Sequence, residues 1–68
     1  MTKDELLKVE TYLQNKFSNQ DIKINPSKSD DMAEVYIKNE FVGTLYRDED
    51  EGEVSFDFNM SIIDIDLK

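Results

Sequence analysis

Hydrophobic residues in the first eighteen positions recur at steps of three and four, which places them on one stripe of a 3.6-residue period. The stripe consists of Leu6, Val9, Leu13 and Phe17. Before it, Thr2 and Glu5 are spaced as in a capping box, in which each side chain bonds to the backbone N–H of the other residue. The polar run of residues 18–21 then ends the pattern. A helix is therefore predicted over residues 3–18.

Alternation with period two predicts four strands in the rest of the chain. The first covers residues 22–25 and stops at Pro26, which has no N–H for a sheet ladder and marks an end or an edge. Residues 33–38 and 41–47 follow, and their short separation predicts a hairpin. Residues 53–60 give the most regular alternation in the chain.

The register of the hairpin depends on its loop. If Asn39 takes the left-handed position of a three-residue loop, Ile37 lies opposite Phe41, whereas a two-residue loop would shift that pairing. With the three-residue loop, one face holds Ala33, Val35, Ile37, Phe41 and Leu45. The opposite face then holds Tyr36, Val42, Thr44 and Tyr46.

The last predicted strand directs its apolar side chains, those of Val54, Phe56, Phe58 and Met60, towards the helix. The phase slips at Ile62 and Ile63, which favours a bulge that bends a C-terminal strand, with one helical turn as the alternative. The predicted core cluster is Leu13, Phe17, Val35, Ile37, Phe56 and Phe58.

These elements predict an α+β fold. One N-terminal amphipathic helix packs on one face of a three- to four-stranded antiparallel sheet, and residues 1–68 form a single domain because a chain this short builds only one core. One helix covers only one face of the sheet. The other face is expected to be open.

Composition argues against several functions. The absence of Cys and His removes the usual ligands of zinc and the usual groups of thiol and imidazole catalysis, so we expect no metal, no cofactor and no enzymatic activity. The formal charge is −8, and residues 39–68 hold nine acidic and two basic side chains. Such a surface repels phosphate backbones and anionic lipids, so nucleic acid and membranes are not expected partners. A cytoplasmic location is expected from the polar N-terminal sequence.

The acidic run of residues 48–53 resembles the start of a calcium-binding loop, but its spacing does not fit one. An EF-hand loop opening at Asp48 requires Gly where Glu53 stands and Glu where Asn59 stands. We interpret the run as a solvated hairpin turn. Asp64 and Asp66 are interpreted as outward residues of the bent strand.

Several segments together resemble a family of short alphaproteobacterial proteins known only as a domain of unknown function. The resemblance is carried by residues 33–37, 40–43, 46–53 and 60–67, and it spans nearly the whole chain. It implies a bacterial and cytoplasmic protein. It implies no activity and no site residues.

The sequence thus favours a non-enzymatic protein-interaction module that uses the outer face of the sheet, either on itself as a homodimer or on another protein. The expected partner-binding residues are Tyr36, Val42, Thr44, Tyr46 and Arg47. The alternative is an acidic mimic or regulator that binds a basic, nucleic-acid-binding protein through its carboxylates. Added salt should weaken the second kind of association and spare the first.

Overall fold

The computed structural model describes residues 1–67, which form one α-helix, a four-stranded antiparallel sheet and a short 3-10 helix. The strands lie in chain order, β1-β2-β3-β4, and the α+β prediction is confirmed. No helix within residues 1–67 is long and apolar enough to span a bilayer. The elements are α1 (Lys3–Lys16), β1 (Ile22–Pro26), β2 (Met32–Ile37), β3 (Glu40–Asp50), β4 (Glu53–Met60) and the 3-10 helix (Asp64–Leu67).

The start of α1 is the predicted capping box. Thr2 Oγ1 accepts a hydrogen bond of 3.1 Å from the backbone N–H of Glu5, and Glu5 Oε1 accepts one of 2.9 Å from the backbone N–H of Thr2. The helix ends at Lys16, two residues before the predicted end, because Ser18 adopts a left-handed conformation with φ of 51°. The start of α1 is therefore fixed by the capping box and its end by the conformation of Ser18.

The β2–β3 loop has two residues, so the second of the two alternatives for the register is the correct one. Lys38 and Asn39 both have positive φ, 51° and 67°, as a tight hairpin turn of this length requires. Ile37 is therefore opposite Glu40, and Tyr36 is opposite Phe41. Opposed residues of antiparallel strands share a face, so Phe41 lies on the outer face with Tyr36 rather than in the core.

A β-bulge next to this turn restores the predicted alternation of inner and outer residues along the rest of β3. Val35 is opposite Gly43, which leaves Val42 as the extra residue between the two paired positions. Val42 packs against the core cluster, so its predicted outward position was wrong. Beyond the bulge, Ala33 pairs with Leu45 as expected for two core residues.

The core is centred on the strands nearest the helix. Its buried residues are Leu13, Ile22, Ile24, Ala33, Val35 and Leu45. Of the predicted cluster, Ile37, Phe56 and Phe58 pack around this group as half-buried residues, and Phe17 is 56% exposed. The reason is the position of α1, which lies over β1 at one side of the sheet.

The β3–β4 hairpin is longer than predicted. Its turn consists of Glu51 and Gly52 alone, with φ of 52° and 82°, and β3 runs on to Asp50. An added Cβ at Gly43 would collide with the backbone oxygen of Asn59, so glycine allows β4 to approach β3 there. Near the C-terminus, Asp64–Leu67 forms a 3-10 helix rather than the favoured bent strand.

Candidate interaction surfaces

The outer face of the sheet carries three aromatic residues, the half-buried Tyr36 and the exposed Phe41 and Tyr46, which we define as the aromatic patch. The rings of Tyr36 and Phe41 meet edge to face, with centroids 5.7 Å apart and planes at 73°. Phe41 is 53% exposed and Tyr46 is 43% exposed. Within residues 1–67, α1 packs on the opposite face of the sheet and leaves this patch uncovered.

The hydroxyl of Tyr36 is held on this face by a neighbouring carboxylate. It donates a hydrogen bond of 3.2 Å to Glu34 Oε1. Partial burial raises the pKa of the Tyr36 hydroxyl, and the charge and hydrogen bond of Glu34 raise it further. Tyr36 is therefore a neutral donor at physiological pH, with its ring fixed against Phe41.

An acidic patch adjoins the aromatic patch on the same face. The register places Tyr46 opposite Asp57, and the following outer positions of the hairpin are all acidic or serine. Because side chains alternate between faces along a strand, four carboxylates share this end of the outer face. We define the acidic patch as Asp48, Asp50, Glu53 and Asp57, all of which are exposed.

Arg47 does not belong to the outer face. Its Nε donates a hydrogen bond of 2.9 Å to Glu5 Oε2, and its terminal nitrogen donates one of 3.0 Å to Glu49 Oε1. Arg47 is opposite Phe56 on the helix side of the sheet, so its predicted place beside the tyrosines was wrong. Hydrogen bonds from the backbone of Thr2 and from Arg47 lower the pKa of Glu5. Arg47 thus ties the start of α1 to β3.

The edge formed by β1 is covered by the helix. Gln14 Nε2 donates a hydrogen bond of 2.9 Å to the carbonyl of Ile22, and Glu10 Oε2 accepts one of 2.8 Å from the N–H of Ile24. Pro26 has no N–H to offer at the next such position. Edge strands otherwise tend to pair with other chains, so these three side chains protect this edge.

The edge formed by β4 has no such cover among the described residues. β4 pairs with β3 on one side only, and it contains no proline over its eight residues. Beside it, α1 and β4 border an apolar groove of about 410 Å³. Its apolar lining includes Val9, Tyr12, Leu13, Val54, Phe56 and Phe58.

A second concavity, of about 480 Å³, lies at the other end of the sheet, where β3 begins and β4 ends. Phe41, Thr44 and Ile63 are among its lining residues. Thr44, a predicted partner-binding residue, is opposite Asn59 on the outer face. Across residues 1–67 no group of three or more acidic side chains is close enough to hold a metal ion.

Comparison with known proteins identifies the family. Residues 5–66 match the model of a protein family of unknown function, DUF3126. The chain belongs to this family. The predicted resemblance to a family of unknown function is thereby confirmed, while the alphaproteobacterial origin stays a prediction. Comparison with curated proteins and with solved structures gives no significant match.

Of the predicted partner-binding residues, the outer face brings together Tyr36, Thr44 and Tyr46. Sequence reasoning missed Phe41, because its position depends on a two-residue loop. The signal that could have found it is the dipeptide Lys38-Asn39, since a two-residue loop places Phe41 opposite Tyr36. The unprotected β4 edge was also missed.

Proposed function

We propose that this domain is a non-enzymatic protein-interaction module, bacterial and cytoplasmic, whose outer sheet face binds a partner protein with a basic contact surface. The observation that carries the proposal is the adjacency of the aromatic patch and the acidic patch on one open face. Exposed aromatic side chains supply much of the binding energy in many interfaces. Carboxylates beside them attract and orient a basic partner.

The arrangement combines apolar association with charge-driven association, which the sequence presented as alternatives. Tyr46 is opposite Asp57, so one partner surface that touches the ring also lies within reach of the carboxylate. The aromatic contact is apolar and resists salt, whereas the carboxylate contact is screened by salt. A partner bound through both would show a partial dependence on ionic strength.

A heteromeric partner fits this face better than a second copy. Pairing of two outer faces would bring together two chains that each carry a formal charge of −8. Repulsion between the two negatively charged chains opposes this association. We therefore favour a basic partner over a homodimer.

The test is quantitative affinity capture from a bacterial lysate with two outer-face variants. Phe41→Ser with Tyr46→Thr removes the exposed rings, and Asp48→Asn with Asp57→Asn removes two charges. We expect the ring variant to lose the captured partner at low and at high salt. We expect the charge variant to lose it mainly at low salt, because the missing attraction is the one that salt screens.

The matched control is Leu7→Ser, which changes an exposed apolar residue of α1 that is 57% exposed. It should capture the same partner as the wild type. Circular dichroism should show that all variants keep the fold. Capture by both outer-face variants at wild-type levels would refute the proposal, and concentration-dependent dimers in sedimentation that the ring variant abolishes would replace it with self-association.

A further inference from the structure

The two edges of the sheet differ in the way they meet solvent. Glu10, Gln14 and Pro26 protect the edge of β1, as described above. The longer β4 has neither proline nor a side-chain partner for its outer backbone groups within residues 1–67. We propose that the β4 edge is a docking site for an extended segment of a partner protein, one that alternates apolar and basic residues and adds as an antiparallel fifth strand. The site shares the acidic patch with the outer face but does not use the aromatic rings, so it is tested apart from the function proposed above.

The turn of the β3–β4 hairpin determines which backbone groups point outward. A two-residue loop makes the flanking pair, Asp50 and Glu53, exchange hydrogen bonds with each other. Pairs that exchange hydrogen bonds alternate with pairs that do not, so Ser55 and Asp57 bond to β3. The N–H and C=O groups of Val54, Phe56 and Phe58 then point away from the sheet. These groups form the ladder for an added strand.

The same three residues direct their side chains to the helix side. Val54 is 41% exposed, and Phe56 and Phe58 are half-buried along the groove between β4 and α1. In an antiparallel pair, opposed residues share a face. Apolar residues of an added strand would therefore lie on the helix side, beside the rings of Phe56 and Phe58. There they would line the same groove as Tyr12 of α1. Every second residue of the segment is thus required to be apolar.

The remaining residues of the segment would lie on the acidic outer face. The outer-face positions of β4 include Glu53 and Asp57, with Asp48 and Asp50 on the next strand. Opposite charges across a strand pair stabilise it, and like charges oppose it. Lys or Arg at these positions complements the patch. A second copy of β4 would bring Glu53 and Asp57 again, and for this reason we infer a basic segment rather than a β4–β4 dimer.

The test uses a synthetic probe, acetyl-Lys-Val-Lys-Val-Lys-Val-Lys-amide, titrated into the full chain labelled with ¹⁵N. We expect amide shifts concentrated on residues 53–60 and slower hydrogen exchange at Val54, Phe56 and Phe58, because their N–H groups become bonded. The same peptide with Glu in place of Lys should not bind. Amide shifts confined to the residues of the aromatic patch would overturn the proposal.

Backbone methylation of the probe separates strand addition from charge attraction. In the proposed pairing the valine N–H groups face β4 and the lysine N–H groups face solvent. N-methylation of the three valines should weaken binding by at least about tenfold, since several hydrogen bonds are lost. N-methylation of the lysines should leave the affinity within about threefold, a change smaller than one such bond supplies. Equal affinities of the two methylated peptides would refute the proposal.

Protein variants complete the test. Val54→Pro removes an outward N–H without touching the bonds to β3, and Val54→Ala is its matched control. Only the proline variant should lose about tenfold in affinity for the probe. Phe41→Ser with Tyr46→Thr should bind the probe like the wild type. If that ring variant loses the probe, the peptide binds the outer face and the edge proposal fails, whereas the proposed function is unharmed.

Discussion

At the scale of single residues, the side chain of Glu5 joins the start of α1 to β3. One carboxylate oxygen accepts a hydrogen bond from the N–H of Thr2 at the helix start. The other accepts a hydrogen bond from the guanidinium of Arg47 on β3. The Arg47 backbone also donates a hydrogen bond to the carbonyl of Asp31. A change in the charge of Glu5 therefore affects both the helix start and its attachment to the sheet.

Replacing Glu5 by Gln tests this junction through its pH dependence. The pKa of Glu5 is lowered in the folded protein, first by the backbone hydrogen bond from Thr2 and then by Arg47. The carboxylate therefore stabilises the fold above its ordinary pKa, and that contribution is lost as the pH falls through the lowered value. Gln can still cap the helix, so Glu5→Gln removes mainly the charge. We expect a lower Tm for the variant at neutral pH and a gap that closes below about pH 4.

Thermal melts across this pH range provide the measurement. Asp4→Asn is the control, because the ion pair that Asp4 forms with Lys8 on the same helix is exposed to solvent. Such pairs contribute little. A gap for Glu5→Gln that stays constant with pH would show that the charge of Glu5 does not stabilise the fold.

The residues of this junction also show what local sequence can predict. Thr2 and Glu5 are three positions apart, so their spacing alone predicts the capping box, and the structure confirms it. Arg47 is 42 positions from Glu5, and its contact exists only once the sheet has formed. Period-two alternation places Arg47 on the same face as Leu45, but it does not show that Glu5 of α1 lies next to that position.

At the scale of elements, strand identity was easier to predict than strand register. The four alternating segments each correspond to a strand, because alternation reflects burial of one face. Lys38 adopts positive φ together with Asn39, which shortens the loop, and the bulge at Val42 then restores the phase. Both events exchange the faces of Phe41 and Val42. They depend on the pairing of two strands, which alternation within one strand does not encode.

Because α1 lies over β1, the core is fully buried on β3 and only partly buried on β4. Two truncation variants test this difference. Leu45 is 1% exposed on β3, whereas Phe56 on β4 is only half-buried. Leu45→Ala should cost about 2–5 kcal/mol of the free energy of unfolding, as truncations in cores do. Phe56→Ala should cost about 1–2 kcal/mol despite its larger side chain, because the ring is half in water. Urea unfolding of both variants measures which one loses more free energy of unfolding. A larger loss for Phe56→Ala would place the centre of the core on β4.

At the scale of the whole molecule, shape and charge are unevenly distributed. The described chain measures 43 by 23 by 21 Å. Residues 39–68 hold nine acidic and two basic side chains, and within this stretch the acidic patch gathers on the β3–β4 hairpin. The charge asymmetry was evident from the sequence. Its concentration on one face was not, because it requires the register of two strands.

The acidic hairpin allows a last prediction that separates charge repulsion from ion binding. Asp48 and Asp50 are exposed, lie on the same face of β3 and have Glu53 opposite Asp50. Like charges at such spacing oppose folding, so Asp48→Asn with Asp50→Asn should leave the Tm unchanged or raise it slightly. Added NaCl should shrink any gain, because salt screens the same repulsion in the wild type. Thermal melts at low and high salt measure this, and calorimetry with Ca²⁺ is the control. A lower Tm in the variant, or micromolar Ca²⁺ affinity that the variant abolishes, would show that these carboxylates form a site rather than a solvated turn, since a built calcium site keeps its acids together through the bound ion.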